Sequence, residues 1–358
     1  MNHYTNKLTG RTVLTDQGEY LYFAGTAYLG LDVHETFNAA IQEGIGQYGH
    51  HFGASRLGNL KLSVFEDFEN AFTSKMGYED GIVVSSGTLA AQLFVQAYGK
   101  NFACFYIKGT HPSLFQNQPH KLITADTDGA LQINQEDGPA MVLFNALDPL
   151  FCEVIDFEWL MEIDPKKPLT VVVDASHAFG VQEKLLMQVN RFIKRFPNIS
   201  LVLLGSLGKA YSMPAGIIMG DKSTMDQLRK SPLFGGSSPA SPAYLYAFLK
   251  SATLIQTQYE KLLYNRQLFA EAPSIKPFFK TLNEFPVFVS QNQNLVTFLQ
   301  QQKVLISSFR YPTPDAALLN RIVINASHSK QDILNLIQIL NDLEKEKGEH
   351  STFRILSS

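Results

Sequence analysis

The sequence predicts an α/β fold: a large domain built on a mainly parallel sheet, followed by a smaller C-terminal α+β domain. Three observations carry that expectation. From Phe37 to about Met219, short apolar runs alternate with segments of helical period. After Pro242 the alternation gives way to a long helical stretch and then to a second, shorter set of strands. The 358 residues, 45% of them hydrophobic and 18% charged, are enough to bury a core in each domain.

Taken in order, residues 1–35 read as an N-terminal arm, 36–245 as the large domain, 246–348 as the small domain and 349–358 as a frayed tail. Phe37, Ile41, Ile45 and Tyr48 recur near every fourth residue and predict an amphipathic helix, as do Phe65, Phe68, Phe72 and Met76. Ile82 to Val84 then reads as a strand and Leu89 to Tyr98 as a mostly buried helix. Further strands are expected at Ala103 to Ile107, Lys121 to Thr124, Met141 to Phe144, Leu169 to Val173, Ile199 to Leu204 and Ile217 to Met219. Helical patterns fall between some of them, at Phe157 to Ile163 and Leu185 to Phe196.

Past Pro242, one long helix is expected from Ala243 to about Ala270. Strands follow at Val287 to Val289, Val304 to Ser307 and Arg321 to Ile324, with a helix over Leu295 to Gln302. A capping box, Ser329 to Asp332, opens a last helix that runs to about Lys347.

Formal net charge is −3, which gives no electrostatic case for nucleic acid or an anionic membrane. Cys104 and Cys152 are the two cysteines, far apart, which fits a reduced cytoplasmic protein without a disulfide framework. Met1 to Gly10 is polar and lacks the apolar core of a signal peptide, and no apolar stretch approaches the roughly 20 residues of a membrane span.

The chemistry gathers at strand ends. Lys209 stands just past the apolar run Ile199 to Leu204, between Gly208 and Ala210 and three residues after Ser206. A lysine there is poorly placed as a solvated charge and well placed to form a Schiff base with an aldehyde cofactor. The preceding strand ends in Asp174-Ala175-Ser176-His177. A buried acid needs a cation or hydrogen bonds to keep its charge, and a pyridinium nitrogen is such a cation. Alone, Asp174 reads equally as the cap of the next turn, and His177 as a structural histidine. Ser86-Gly87-Thr88 follows another strand and opens an apolar helix, whose free N–H groups and dipole suit a phosphate. An ordinary N-cap is the alternative there. His111, in a loop after Ile107, could stack on a planar ring or have no role.

Two rival motifs fail. A P-loop needs glycine where Leu203 stands and Ser or Thr where Ala210 stands, and no Gly-x-Gly-x-x-Gly follows a strand. Neighbours His50 and His51 point different ways in any regular element, so a metal site with Asp174 and His177 has little support and no metal is expected.

As an ordered set these residues resemble the α-oxoamine synthase family of fold-type I pyridoxal-phosphate enzymes. That family includes 8-amino-7-oxononanoate synthase and glycine C-acetyltransferase and lies within the class II aminotransferases. Tyr28-Leu29-Gly30-Leu31 is similar to an early family motif, and Tyr48-Gly49 through Gly58 to a second. Ser86-Gly87-Thr88 resembles the phosphate-binding segment, Asp174 with His177 the ring-acid motif, and Ser206 with Lys209 the lysine motif.

The resemblance spans about Gly10 to His328 and implies a fold-type I transferase with pyridoxal 5'-phosphate on Lys209. It further implies His111 stacked on the ring, Asn145 beside cofactor and substrate, and Ser238 (in Ser237-Ser238 before Pro242) reaching the phosphate of a second subunit in a homodimer with shared sites. Arg321 would bind the amino-acid carboxylate, with Arg310 nearby. Thr26 and Ala27 stand where the family has asparagine and an acid, Ser176 where it prefers alanine, and the N-terminal helix is truncated.

The expected activity is a pyridoxal-phosphate-dependent condensation of an amino acid with an acyl-CoA, with Lys209, Asp174 and His111 as catalytic residues. The alternatives are an aminotransferase using the same residues, or a non-catalytic cofactor-binding partner subunit.

Overall fold

The computed structural model describes residues 3–7, 9–116, 121–273, 275, 278–310, 313 and 315–355. The first five strands are β1 (Thr12–Thr15), β2 (Gly18–Phe23), β3 (Asp80–Val84), β4 (Ala103–Ile107) and β5 (Lys121–Ile123). Next come β6 (Ala140–Asn145), β7 (Leu147–Asp148), β8 (Glu153–Val154), β9 (Leu169–Asp174), β10 (Ile199–Ser206) and β11 (Gly216–Gly220). The last three are β12 (Val287–Ser290), β13 (Val304–Arg310) and β14 (Leu318–Val323). Helices α1 (Glu35–Tyr48), α2 (Ser63–Met76), α3 (Gly87–Tyr98), α4 (Thr127–Asn134) and α5 (Glu183–Ile193) alternate with the early strands. They are followed by α6 (Lys222–Arg229), α7 (Pro232–Gly236), α8 (Pro242–Lys250), α9 (Ala252–Ala270), α10 (Leu295–Gln301) and α11 (Lys330–Ile355).

The chain forms two units, one of Glu35–Asp148 and Glu153–Ala252, the other of Met1–His34, Pro149–Cys152 and Thr253–Ser358. The larger holds a seven-stranded sheet in the order β3-β11-β10-β9-β6-β4-β5. Strand β11 runs antiparallel to both neighbours, and every other pairing is parallel. Six strands therefore bring their carboxyl ends to one edge, where open α/β sheets bind ligands. Because helices cover both faces, the central strands are apolar throughout: Met141 to Phe144 and Val171 to Val173 are at most 1% exposed. At the β3 edge, Glu69 Oε1 accepts from Val83 N at 2.7 Å while Arg56 Nη1 donates to Val83 O at 3.3 Å. The two side chains pair at 2.5 Å, so one ion pair occupies both backbone groups of an edge residue.

The smaller unit holds a five-stranded sheet, β1-β2-β13-β14-β12. Phe23, Phe269, Phe288, Ile322 and Leu336 fill its core. The Ser329–Asp332 capping box is present in both directions, Ser329 N to Asp332 Oδ2 at 2.8 Å and Asp332 N to Ser329 Oγ at 3.2 Å. Arg11 adds an ion pair to Asp332 at 2.6 Å. Against the upward push of burial, the hydrogen bonds from Arg11 and Ser329 hold the Asp332 carboxyl at about 2. His328 is buried beside it, with Nδ1 accepting from Asn325 N at 3.1 Å and Nε2 facing the Tyr22 carbonyl at 3.0 Å. Burial pushes the His328 imidazole down to about 4.

The structure corrects several expectations. Residues 1–35 are no separate arm: β2 pairs in parallel with β13, Leu21 opposite Val304, and belongs to the smaller unit's sheet. The segment Phe157 to Ile163 is a short 3-10 helix, Glu158–Glu162, since a few residues before Pro165 cannot complete an α-helix. The expected single helix from Ala243 breaks at Ser251, whose N–H turns back to Phe248 O at 3.1 Å, and the units divide at Ala252 and not at 245. The tail stays helical to Ile355, because one glycine costs a helix only about 1 kcal/mol and Glu344 to Lys347 are good helix formers. The last three tail residues, 356–358, lie outside the described residues.

Candidate active site

The strand ends of the larger unit assemble most of the residues that the sequence singles out. Strand β3 leads through Ser85 into Ser86, which caps α3 by accepting from Leu89 N at 3.1 Å. The first N–H groups of α3, on Gly87 and Thr88, have no intrahelical carbonyl to donate to. Ser86 and Thr88 are exposed and Gly87 half-buried, so this helix start is within reach of an anion from solvent. Gly87 is required by space: a Cβ there would lie 2.6 Å from Ser206 Cβ and 2.7 Å from Ser206 N. The start of α3 thus rests directly on the end of β10.

At the end of β9, Asp174 is 9% exposed and its Oδ1 accepts from Ser176 N at 2.8 Å. Lys209 follows β10 by three residues. Burial lowers its ammonium below the ordinary lysine range, and the Asp174 charge opposes that shift. The result is an amine that loses its proton more readily than a surface lysine, as a nucleophile toward an aldehyde needs. Ser206 Oγ accepts from Gly208 N at 3.1 Å, which fixes the turn immediately before the lysine.

Asn145 ends β6 in register with Asp174. Its amide spans the next loop, Nδ2 donating to Gly109 O at 2.7 Å and Oδ1 accepting from His111 N at 3.2 Å. The His111 ring is exposed on that loop, and its Nδ1 accepts from Ser113 N at 3.2 Å, so the proton belongs on Nε2. Thr110, which the sequence reading passed over, anchors the same loop through Oγ1 to Ile107 O at 2.6 Å and Leu143 O at 3.0 Å. His177 is half-buried on the turn after Asp174. Ser238 is exposed just past α7.

The smaller unit carries the remaining candidates. Arg321, on β14 opposite Val289 and Ser307, is 7% exposed, yet its Nε and Nη2 have no partner among the described residues. Unpaired buried guanidinium nitrogens are costly unless a ligand satisfies them, and this edge of the group matches a carboxylate. Tyr28, fully buried, hydrogen-bonds to Arg321, and the nearby guanidinium opposes the upward push of burial on its hydroxyl. Tyr28 was legible only as part of a motif; its partner could not be read from sequence. Half-buried Thr26 accepts from Tyr28 N at 2.8 Å through its carbonyl. Arg310 does not join Arg321: it is exposed, three rungs along β13, and spends Nη1 on Ala316 O at 2.6 Å.

Comparison with known proteins points the same way. Residues 126–340 match the family described as aminotransferase class I and II. The 8-amino-7-oxononanoate synthase of Nitrosospira multiformis is 26% identical over 92% of this chain and 88% of its own length. The enzyme of that name from Vibrio vulnificus is 25% identical over 95% of this chain and 92% of its own. Among solved structures, the Sphingomonas wittichii serine palmitoyltransferase superimposes with a TM-score of 0.80 over 97% of this chain and 92% of that one, at 14% identity. The Francisella tularensis 8-amino-7-oxononanoate synthase gives 0.68 over 92% and 98%, at 20% identity.

Proposed function

Because the chain belongs to the class I and II aminotransferase family and is a fold-type I, pyridoxal-phosphate-dependent transferase, we propose that it condenses an amino acid with an acyl-CoA thioester. The residues present fit the cofactor: a helix N-terminus for the phosphate, a buried acid for the ring nitrogen, and beside it a lysine with lowered basicity. When bound, pyridoxal phosphate supplies a conjugated ring that takes up the electron pair released as a bond at the amino acid's Cα breaks. Lys209 Nζ holds the cofactor and takes the Cα proton. Asp174 would keep a positive charge on the ring nitrogen through its own negative charge, His111 would cover the ring's face, and the Gly87 and Thr88 N–H groups would hold the phosphate. Ser238 serves the neighbouring subunit of a homodimer.

One observation carries the amino-acid assignment: the buried, unpaired Nε and Nη2 of Arg321, a receptor for an α-carboxylate. Support for the acyl-CoA half comes from relatives named 8-amino-7-oxononanoate synthase that match over nine-tenths of the chain. A cytoplasmic location fits the two cysteines, Cys104 and Cys152, neither of which is joined in a disulfide. Among the described residues no helix is long and apolar enough to cross a membrane.

The test is a matrix of amino acids and acyl-CoAs read by free thiol release. Release of CoA that needs both substrates, with an amino-acid KM raised at least tenfold in Arg321→Ala, is the expected result. Keto-acid formation with no thiol released would make the protein an aminotransferase instead.

A further inference from the structure

Three segments assigned to the cofactor meet at a single backbone N–H, that of Ser206. The parallel ladder between β9 and β10 continues through Ala175 N to Leu204 O at 2.8 Å. The next rung would send Ser206 N to Ala175 O. That carbonyl is already taken by the N–H groups of Ala178 and Phe179, at 2.8 and 2.9 Å, as the chain turns away. Ser206 N donates instead to Ser176 Oγ at 2.8 Å. Ser176, 8% exposed, is itself tied through its N–H to Asp174 Oδ1. On the remaining sides space is tight: a Cβ on Gly205 would lie 2.7 Å from Ser176 N, and one on Gly87 equally close to Ser206 N. Ser206 Oγ then passes the constraint to Gly208, next to Lys209.

We propose that Ser176 is a positioning residue, whose hydroxyl adds one rung to the ladder beyond the end of β9 and so locks the Lys209 turn against the Asp174 turn and the phosphate-binding start of α3. The hydroxyl reaches the site through Ser206 and touches no reacting atom. Alanine at this position would keep the turn but leave Ser206 N without an acceptor. The proposal rests on the reading of Lys209 as the residue that holds the cofactor.

The experiment compares wild type, Ser176→Ala and Ser176→Thr as full-length proteins. Borohydride reduction of the wild type with pyridoxal phosphate, followed by peptide mapping, comes first. Cofactor affinity by absorbance titration, the pH midpoint of the visible band, and Tm are then measured for all three. Ser176→Ala is expected to weaken pyridoxal phosphate roughly tenfold, the loss of about one hydrogen bond. Its band midpoint should fall by roughly half a unit, since the Asp174 charge that favours a protonated nitrogen is held less firmly. Ser176→Thr, which keeps the hydroxyl, should restore both values. Unchanged affinity and midpoint in Ser176→Ala overturn the proposal whether or not Tm falls, because a serine with only a structural role would move Tm alone. A label on a lysine other than Lys209 sinks the premise and the proposal together; a label on Lys209 with an unaltered Ser176→Ala sinks the proposal alone.

Discussion

Gly87→Ala tests the junction of α3 and β10 with one methyl group. The added carbon would sit 2.6–2.7 Å from Ser206 Cβ, Cα and N, where non-bonded carbons settle at about 3.5–4.0 Å. Something must move by about 1 Å. Ser206 cannot yield easily, since it pairs with Gly216 of β11 on one side and with Ser176 on the other. The start of α3 therefore gives way, and the Gly87 and Thr88 N–H groups go with it.

Overpacking of this kind costs about 1–3 kcal/mol, which should lower Tm by about 2–6 °C. A displacement of that size at the proposed phosphate site would break a hydrogen bond to a charged group, worth about 1.5–3 kcal/mol, and so should cost about 10- to 100-fold in affinity. The assay is paired: Tm by calorimetry, and affinity for pyridoxal phosphate against phosphate-free pyridoxal. Only the phosphate-bearing ligand should weaken. Gly46→Ala is the control, because its Cβ would meet nothing within 4 Å and helix propensity there favours alanine by about 1 kcal/mol. If Gly87→Ala keeps both its Tm and its ratio of the two affinities, the account of the phosphate site is wrong.

Ser212, three residues past the lysine, holds a φ of 54°, and its N–H closes a turn onto Lys209 O at 3.1 Å. Ser212→Gly should raise stability by about 0.5–1 kcal/mol, the relieved strain less the chain entropy glycine adds when unfolded, and an unchanged or lower Tm would contradict this. Acid should weaken the protein in two separate windows. His328 has a folded value of about 4 against an ordinary 6.5, so its stabilisation is complete above about pH 6.5 and falls as pH drops toward 4, by about 2 kcal/mol at pH 5. Asp332, at about 2 against an ordinary 3.8, acts only below that, its stabilisation complete above about pH 4 and lost as pH falls through 2. Urea unfolding from pH 7 to 5 should show a slope that His328→Gln flattens; a slope unaltered by that change would exclude His328 as its source.

The larger unit's sheet was legible because its strands are buried on both faces, so that Met141 to Phe144 and Val171 to Val173 read as unbroken apolar runs. The candidate residues Asp174 and Lys209 were legible because they sit at or just past the ends of those runs, where the structure brings them together. Strands β1 and β2 escaped notice because only two positions in each are buried, one of them a threonine, and they find their partner far along the chain. The Asp16-Gln17-Gly18 turn between two β-rich runs was the available signal. Pairings made by register alone, Asn145 beside Asp174 or Ser176 under Ser206, leave no trace in spacing. Arg310 goes the other way: the family resemblance set it near Arg321, and its place three rungs along β13 commits it to Ala316.

The parallel pairing of β2 with β13 has a consequence for synthesis. Leu21 leaves the ribosome early, and its partner Val304 is added about 280 residues later, which at 5–20 residues per second is a wait of roughly 15–55 seconds. Throughout that interval the β1–β2 hairpin, with Tyr20 and Phe23 destined for burial, has no sheet to join. The larger unit's strands are all made before β13 exists, so Lys209 can be in place while β1 and β2 are still waiting for the last sheet to form. Nascent-chain quality control can therefore meet this chain with the β1–β2 hairpin exposed and the larger unit's strands already made.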